Sequence, residues 1–210
     1  MVCIIQIFSI DKDSKVNKSF DRDLYVISDD VDVLIKAVRD GAGIIQLRDK
    51  SGDRETIIGK ARAILQLKNE RPFKFILNDD PELASELGAD GVHVGQDMST
   101  PETRNIIGPS MILGKTTHHV AQGLEAIREG ADYISVGPVY ATPTKPGRPA
   151  VGLAYVREAV RELDIPFVAI GGIDLGNIDD VLAAGAKTIG IVRAASDATV
   201  MLQKIRNNKA

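Results

Sequence analysis

The chain has 210 residues, 44% of them apolar and 26% charged, and a net charge of −3. That length suits one domain, since α/β barrels commonly run as a single unit at this size, and the apolar share excludes a disordered chain. The slightly acidic balance argues against a nucleic-acid or membrane-surface protein, and no apolar run reaches the roughly 18 residues of a membrane span. The single cysteine, Cys3, excludes an internal disulfide framework and a cysteine-rich metal site. A reducing, cytoplasmic setting is therefore expected. The apolar start MVCIIQIFSI lacks a basic leader region and makes a poor signal peptide.

Residues 1–22 read as an N-terminal extension and 23–210 as the main domain. From Leu24 the chain alternates. Short β-rich runs lie at 24–28, 43–47, 73–77, 91–94, 111–114, 132–136, 167–170 and 188–192. They are short and apolar, as parallel strands buried on both faces should be. Helical patterns fall between them at 31–40, 55–68, 81–87, 101–107, 120–129, 153–163, 177–184 and 196–207. Four of these end in RDGAG, ELGAD, REGAD or AAGAK, with Gly where a helix takes a left-handed cap. Eight β–α units fit a single-domain α/β fold, the closed (β/α)8 TIM barrel; an open doubly wound sheet is the alternative. Barrel sites lie at the C-terminal strand ends, so the polar residues just after each apolar run carry the functional reading.

After the second run, Gln46, Arg48 and Lys50 alternate and point to one side. Arg offers a planar fork and Lys a point charge, and both suit phosphate oxygens. By themselves these residues fit a bound anion and a solvated strand end paired to Asp49 equally well. After the third run comes Asn78-Asp79-Asp80-Pro81, in which Asp80 reads as a helix cap and Asp79 is placed to ligate a hard cation. After the fourth, Asp97 is a second carboxylate in the neighbouring loop, and two carboxylates with substrate phosphate and water are how proteins usually hold Mg2+. His93, inside the strand, reads as a core histidine. Lys115-Thr116-Thr117-His118-His119 follows the fifth run; its hydroxyls suit phosphate, and its histidines suit either acid–base chemistry or capping of the next helix. The long segment after the sixth run, GPVYATPTKPG, has the length of a functional lid and carries Lys145. Gly171-Gly172 and Val192-Arg193 follow the last two strands, where barrels often bind phosphate through backbone N–H groups. Two anion sites emerge: one Mg2+-assisted at loops 2 to 4, and one backbone-built at loops 7 and 8.

The segments QLRDK (46–50), ILNDD (76–80), GADGVHVGQDM (88–98), TTH (116–118), GADYISVGPVYATPTKPG (130–147) and VAIGGI (168–173) together resemble the thiamine-phosphate synthase family from about Leu24 onward. The resemblance implies an enzyme of thiamine biosynthesis. It would join 4-amino-2-methyl-5-pyrimidinylmethyl diphosphate to a thiazole phosphate, releasing pyrophosphate by a dissociative, Mg2+-assisted route. Arg48, Lys50, Asn78 and Lys145 are then the expected catalytic residues. Substrate contacts extend to Gln46, Leu47, Asp49, Thr116, Thr142, Pro143, Thr144, Gly172, Val192 and Arg193, and Asp79 and Asp97 are the expected Mg2+ ligands. The implied partners are small molecules, with no nucleic acid or membrane, and a homodimer is allowed. Three positions depart from the family pattern. Thr116 stands where Ser is usual, the loop around Asp97 is one residue shorter, and Arg193 replaces Ser, which would add a charged contact to the thiazole phosphate.

Thiazole tautomerases share the VAIGGI region but carry a His where this chain has Pro138, which has no proton to move. A non-catalytic relative would need a degraded site, whereas Arg48, Asp79, Asp97 and Lys145 are all present. Other phosphate-binding barrels need metal or acid–base sets that these residues do not assemble.

Overall fold

Each apolar run forms a parallel strand, and each amphipathic stretch forms the helix that returns the chain. The computed structural model describes residues 20–143, 147 and 149–208. In order the elements are β1 (Leu24–Ser28), α1 (Val31–Arg39), β2 (Ile44–Leu47), α2 (Arg54–Gln66), β3 (Lys74–Asn78), α3 (Pro81–Leu87), β4 (Gly91–Val94) and α4 (Thr100–Ile107). Then come β5 (Ile112–Thr117), α5 (Val120–Arg128), β6 (Tyr133–Val136), α6 (Gly152–Glu162), β7 (Phe167–Ile170), α7 (Ile178–Ala183), β8 (Thr188–Ile191) and α8 (Ala198–Asn207). The strands close in chain order, with β8 paired in parallel to β1 through Tyr25 opposite Gly190. The closed barrel excludes the open-sheet alternative.

The Asp80 cap and the four Gly caps are those read from the sequence, and Asp30 and Ser99 add two more. Asp30, Asp80 and Ser99 accept amide hydrogens at the starts of α1, α3 and α4. Gly41, Gly88, Gly130 and Gly185 take left-handed backbone where their helices end. At the strand starts, partly buried carboxylates close the ladder. Asp90 accepts from the Phe75 amide and pairs with Lys68; Asp132 accepts from the Leu113 amide and pairs with Arg104. This N-terminal face therefore serves stability.

Burial on both strand faces divides the core in two. Leu24, Val26, Ile45, Leu47 and their equivalents pack outward against the helices. Tyr25, Ile27, Ile44, Ile76, Ile112, Tyr133 and Val168 fill the barrel. Phe20 joins this inner cluster, its ring stacked on Tyr133 at 4.2 Å between centroids. The Thr188 hydroxyl donates to the Phe20 carbonyl at 3.1 Å. Phe20, read from the sequence as part of the extension, thus packs into the barrel core.

The fifth strand also runs further than its apolar run, to Thr117 instead of Gly114, and all six of its residues are buried. Lys115 and Thr117 face outward with satisfied polar atoms. Thr117 donates to the Ser135 carbonyl at 2.9 Å, and Lys115 donates to the Gly95 carbonyl at 2.8 Å. A satisfied polar residue can extend a buried strand at little cost, and hydropathy does not register it.

Gly114 faces inward on β5, where an added Cβ would lie 2.2 Å from the Tyr133 ring. The ring crosses the barrel only because this position lacks a side chain. Gly114→Ala is expected to lower stability by about 2 kcal/mol through overpacking. Urea denaturation measures the loss, and an unchanged midpoint would show that Tyr133 can move aside.

Candidate active site

A cavity of about 710 Å3 opens at the C-terminal ends of the strands, within the usual range for small-molecule sites. Gln46, Arg48 and Lys50 line it from β2, Asn78 and Asp79 from β3, Asp97 from the loop after β4, and Thr116 from β5. Thr142 reaches it from the β6–α6 loop, Gly172 from the end of β7, and Val192 with Arg193 from the end of β8. Two expected contacts turn away. Leu47 is buried in the outer core, and Asp49 pairs with Lys60 at 2.6 Å. Both follow from strand alternation, which sends 47 and 49 to the side opposite 46, 48 and 50. Pro143 is exposed and lies off the wall, and Thr144 and Lys145 fall outside the described residues.

The Asp49–Lys60 pair takes away the partner that the solvated strand-end reading gave to Arg48 and Lys50. Among the described residues Arg48 and Lys50 have no carboxylate within ion-pair distance. Their charge faces the cavity uncompensated, which is the condition for binding an anion.

The two cavity carboxylates meet over Gly95. A Cβ there would lie 2.3 Å from Oδ1 of Asp97 and 4.0 Å from Oδ1 of Asp79, so both oxygens flank one space. Asp79 has φ +57, a left-handed conformation uncommon for a side-chain-bearing residue and often found at functional sites. It is held there on three sides. Its amide donates to the His93 carbonyl at 2.9 Å, its Oδ1 accepts from the Gly95 amide at 3.1 Å, and its Oδ2 accepts from Asn78 Nδ2 at 2.6 Å. No cluster of three or more metal-ligating side chains occurs among the described residues. Two carboxylates with open sides are what Mg2+ takes when substrate phosphate and water complete its shell, so this donor set fits the ion.

Across the cavity, Gly171 and Gly172 both have left-handed backbone. Val139 and Tyr140 donate their amides to the carbonyls of Ile170 and Gly171, each at 2.9 Å, binding the β6–α6 loop to the end of β7. Thr142 is thereby brought to the same wall as Gly172 and Arg193.

The description "Thiamine monophosphate synthase" belongs to the family whose sequence model matches residues 21–195. The chain belongs to this family. It is 50% identical over 164 residues to the thiamine-phosphate synthase of Thermus thermophilus, covering 78% of this chain and 79% of that one. The Shouchella clausii thiamine-phosphate synthase is 43% identical over 166 residues, again covering 78% and 79%. Among solved structures, the thiamine phosphate pyrophosphorylase from Pyrococcus furiosus superposes with a TM-score of 0.78 at 32% identity, over 88% of this chain and 95% of that one.

Several residues around this cavity were given no part in the site by the sequence reading. Lys115 is buried beneath the short loop that carries Asp97. Its ammonium donates to the carbonyls of Gly95 and Met98, and Gln96 donates to the Thr116 carbonyl. Burial pushes the Lys115 pKa down, while nearby carboxylates, Asp97 and Asp79 among them, oppose the shift. The loop that carries Asp97 is therefore stapled from below. A lysine inside a buried run was the available signal. Tyr25, His93 and Tyr133 form a hydrogen-bonded row between Gln46 and Thr116, drawn from five different strands. Of the two histidines after Thr117, His118 lines the cavity with its Nδ1 donating to the Gly137 carbonyl at 2.6 Å, and His119 is the exposed N-cap position of α5.

Lys115→Met would leave two carbonyls without this donor. It is expected to cost about 2 kcal/mol in urea denaturation and to speed amide exchange across residues 95–98; unchanged exchange would show that the loop holds itself.

The Lys60 ammonium, with help from the Ser51 amide, holds the Asp49 carboxyl down at about 2. A folded-state pKa below the unfolded value of about 4 gives stability that is present above pH 4 and lost as pH falls toward 2. The stability difference between the native protein and Asp49→Asn should therefore shrink over that window. A difference independent of pH between 6 and 2 would count against the pair.

Proposed function

We propose that this cavity joins 4-amino-2-methyl-5-pyrimidinylmethyl diphosphate to a thiazole phosphate, giving thiamine phosphate and pyrophosphate. The observation that carries the reading is the juxtaposition of the uncompensated cations Arg48 and Lys50 with the paired carboxylates Asp79 and Asp97 on neighbouring strand ends. A diphosphate needs both: cations for its oxygens and an acidic pair for the divalent ion that accompanies it. Family membership makes the chain an enzyme of thiamine biosynthesis.

In the proposed step the bond between the pyrimidine methylene carbon and the diphosphate oxygen breaks. The electron pair leaves with pyrophosphate, and the thiazole nitrogen then donates its lone pair to that carbon. Mg2+, held by Asp79 and Asp97, would neutralise charge on the leaving group. Arg48 and Lys50 orient and neutralise its oxygens, where charge grows as the bond lengthens. Asn78 fixes the Asp79 carboxylate. The Thr116 hydroxyl donates to the anion, and Lys145 is assigned to the same group through the family resemblance. Ile27, Val168 and Ile170 give the inner wall apolar surface, which limits the water that could capture a carbocation. Thr142, Gly172, Val192 and Arg193 form the thiazole phosphate side, with Arg193 supplying the charge that a Ser would lack. Pro138 lines the cavity where a tautomerase would need a proton-transfer group.

The partners of this reading are small phosphorylated molecules, and no helix among the described residues is long and apolar enough to cross a membrane.

Pyrophosphate release should require both substrates and Mg2+ and stop with EDTA. Arg48→Ala should cut turnover roughly 100-fold with little change in the unfolding midpoint. Asp79→Asn and Asp97→Asn should each raise the Mg2+ concentration needed for half-maximal rate. Arg193→Ser should raise KM for the thiazole phosphate alone. Release without metal, or an Arg48→Ala enzyme of native rate, would overturn the assignment.

A further inference from the structure

Five polar side chains run in single file across the barrel interior at the floor of the cavity, which Gln46, Tyr25, His93 and Thr116 all line. Gln46 Nε2 donates to the Tyr25 hydroxyl at 2.7 Å, and that hydroxyl lies 2.9 Å from the hydroxyl of Tyr133. Tyr133 lies 2.9 Å from Nδ1 of His93, and Nε2 of His93 lies 3.0 Å from the Thr116 hydroxyl. The row crosses β2, β1, β6, β4 and β5, and its two ends, Gln46 and Thr116, both line the cavity. Its three central members are buried, and burial pushes both tyrosine hydroxyls up, so they stay protonated.

Each hydroxyl has one proton to give, and a neutral imidazole has one donor and one acceptor. Donated end to end through these bonds, such a row runs in one of two senses. With Gln46 donating, Tyr25 gives its proton to Tyr133, and Tyr133 gives its proton to Nδ1 of His93. The ring then carries its own proton on Nε2 and donates it to Thr116. The Thr116 proton remains for the cavity. In the reverse sense Thr116 gives its proton to His93 and presents only lone pairs. A diphosphate has acceptors and no donors at the pH of the reaction, so only the first sense lets Thr116 bind it.

We propose that Tyr25, Tyr133 and His93 are positioning residues whose one-way hydrogen-bond row holds the Thr116 hydroxyl as a donor to the substrate anion. The proposal rests on the synthase reading for the identity of that anion. The row itself stands on geometry alone. It also couples the two ends: an acceptor on Gln46 Oε1 and a donor on Thr116 belong to the same sense, so a ligand that donates to Gln46 favours anion binding at Thr116.

The direct test is the His93 tautomer, read from the ring nitrogen shifts of the 15N-labelled full chain at neutral pH. The row requires a neutral ring protonated on Nε2. A ring protonated on Nδ1, or on both nitrogens, overturns the proposal without reference to activity. The kinetic test is a double-mutant cycle. Tyr133→Phe keeps the ring stacked on Phe20 but cuts the row, and should lower kcat roughly tenfold with little change in KM for the thiazole phosphate. In a Thr116→Val background the same change should cost nothing further, while Thr116→Ser should restore sensitivity to it. Equal losses in both backgrounds would show that Tyr133 acts on the barrel in general and would overturn the positioning role. If Tyr133→Phe fails to fold, Tyr25→Phe cuts the row one step earlier and carries the same cycle. An Nε2-protonated ring in a native protein that releases no pyrophosphate would remove the synthase reading and leave the sense of the row supported.

Discussion

Closure of the sheet is the constraint from which the site follows. Once β8 pairs with β1, every strand has one face toward the helices and one toward the axis, and a residue's parity decides which it meets. Gln46, Arg48 and Lys50 come to the cavity because they share parity on β2 and its extension. Asp49 is sent outward to Lys60 by the same rule. Closure also removes sheet edges, so the only open backbone is at the two rims. One rim is sealed with carboxylates that accept strand amides, and the other holds the chemistry.

The interior must then be filled, and the filling is unusually polar for a core. Tyr25 and Tyr133 supply bulk, and Gly114 and Phe20 make room for and cover the second of them. Their hydroxyls would be costly to bury alone. Joined to Gln46, His93 and Thr116 they are satisfied, and the same bonds fix side chains at the cavity floor. Packing and site geometry are one structure here: the residues that plug the barrel also hold the groups above them.

Charge in the cavity is arranged by separation. The cations of β2 and the carboxylates of β3 and the β4–α4 loop sit on neighbouring strands without neutralising one another, and the ion pairs of the described residues lie elsewhere. In the proposed reading such an arrangement would leave Arg48 and Lys50 to an anion and Asp79 and Asp97 to a cation. It matches the demands of a metal-bound diphosphate. Lys115, buried under Asp97, adds a positive charge that is used up by carbonyls and so organises the loop without competing for substrate.

The barrel was legible in the sequence because its signals are local. Apolar runs, Gly caps and the Asp80 N-cap each report on a few adjacent residues, and the ends of β1, β4 and β7 followed from them. The rim residues Arg48, Asp79, Asp97 and Thr116 were legible as well, since they directly follow apolar runs in the chain. Leu47 and Asp49 lie off the cavity wall because alternation admits only every second strand residue to the axis, and Pro143 lies off it in the β6–α6 loop. The end of β5 was missed because Lys115 is buried by loop carbonyls contributed from another strand's loop. The place of Phe20 in the core depends on a ring 113 positions away. Sequence by itself determined the order of elements, the parity of each strand and the kinds of charge at each strand end. Only the tertiary structure decided which charges remain uncompensated, and that Tyr25, His93 and Tyr133 meet between Gln46 and Thr116. Those outcomes depend on distances between strands far apart in the chain, which are set only when the sheet closes and packs.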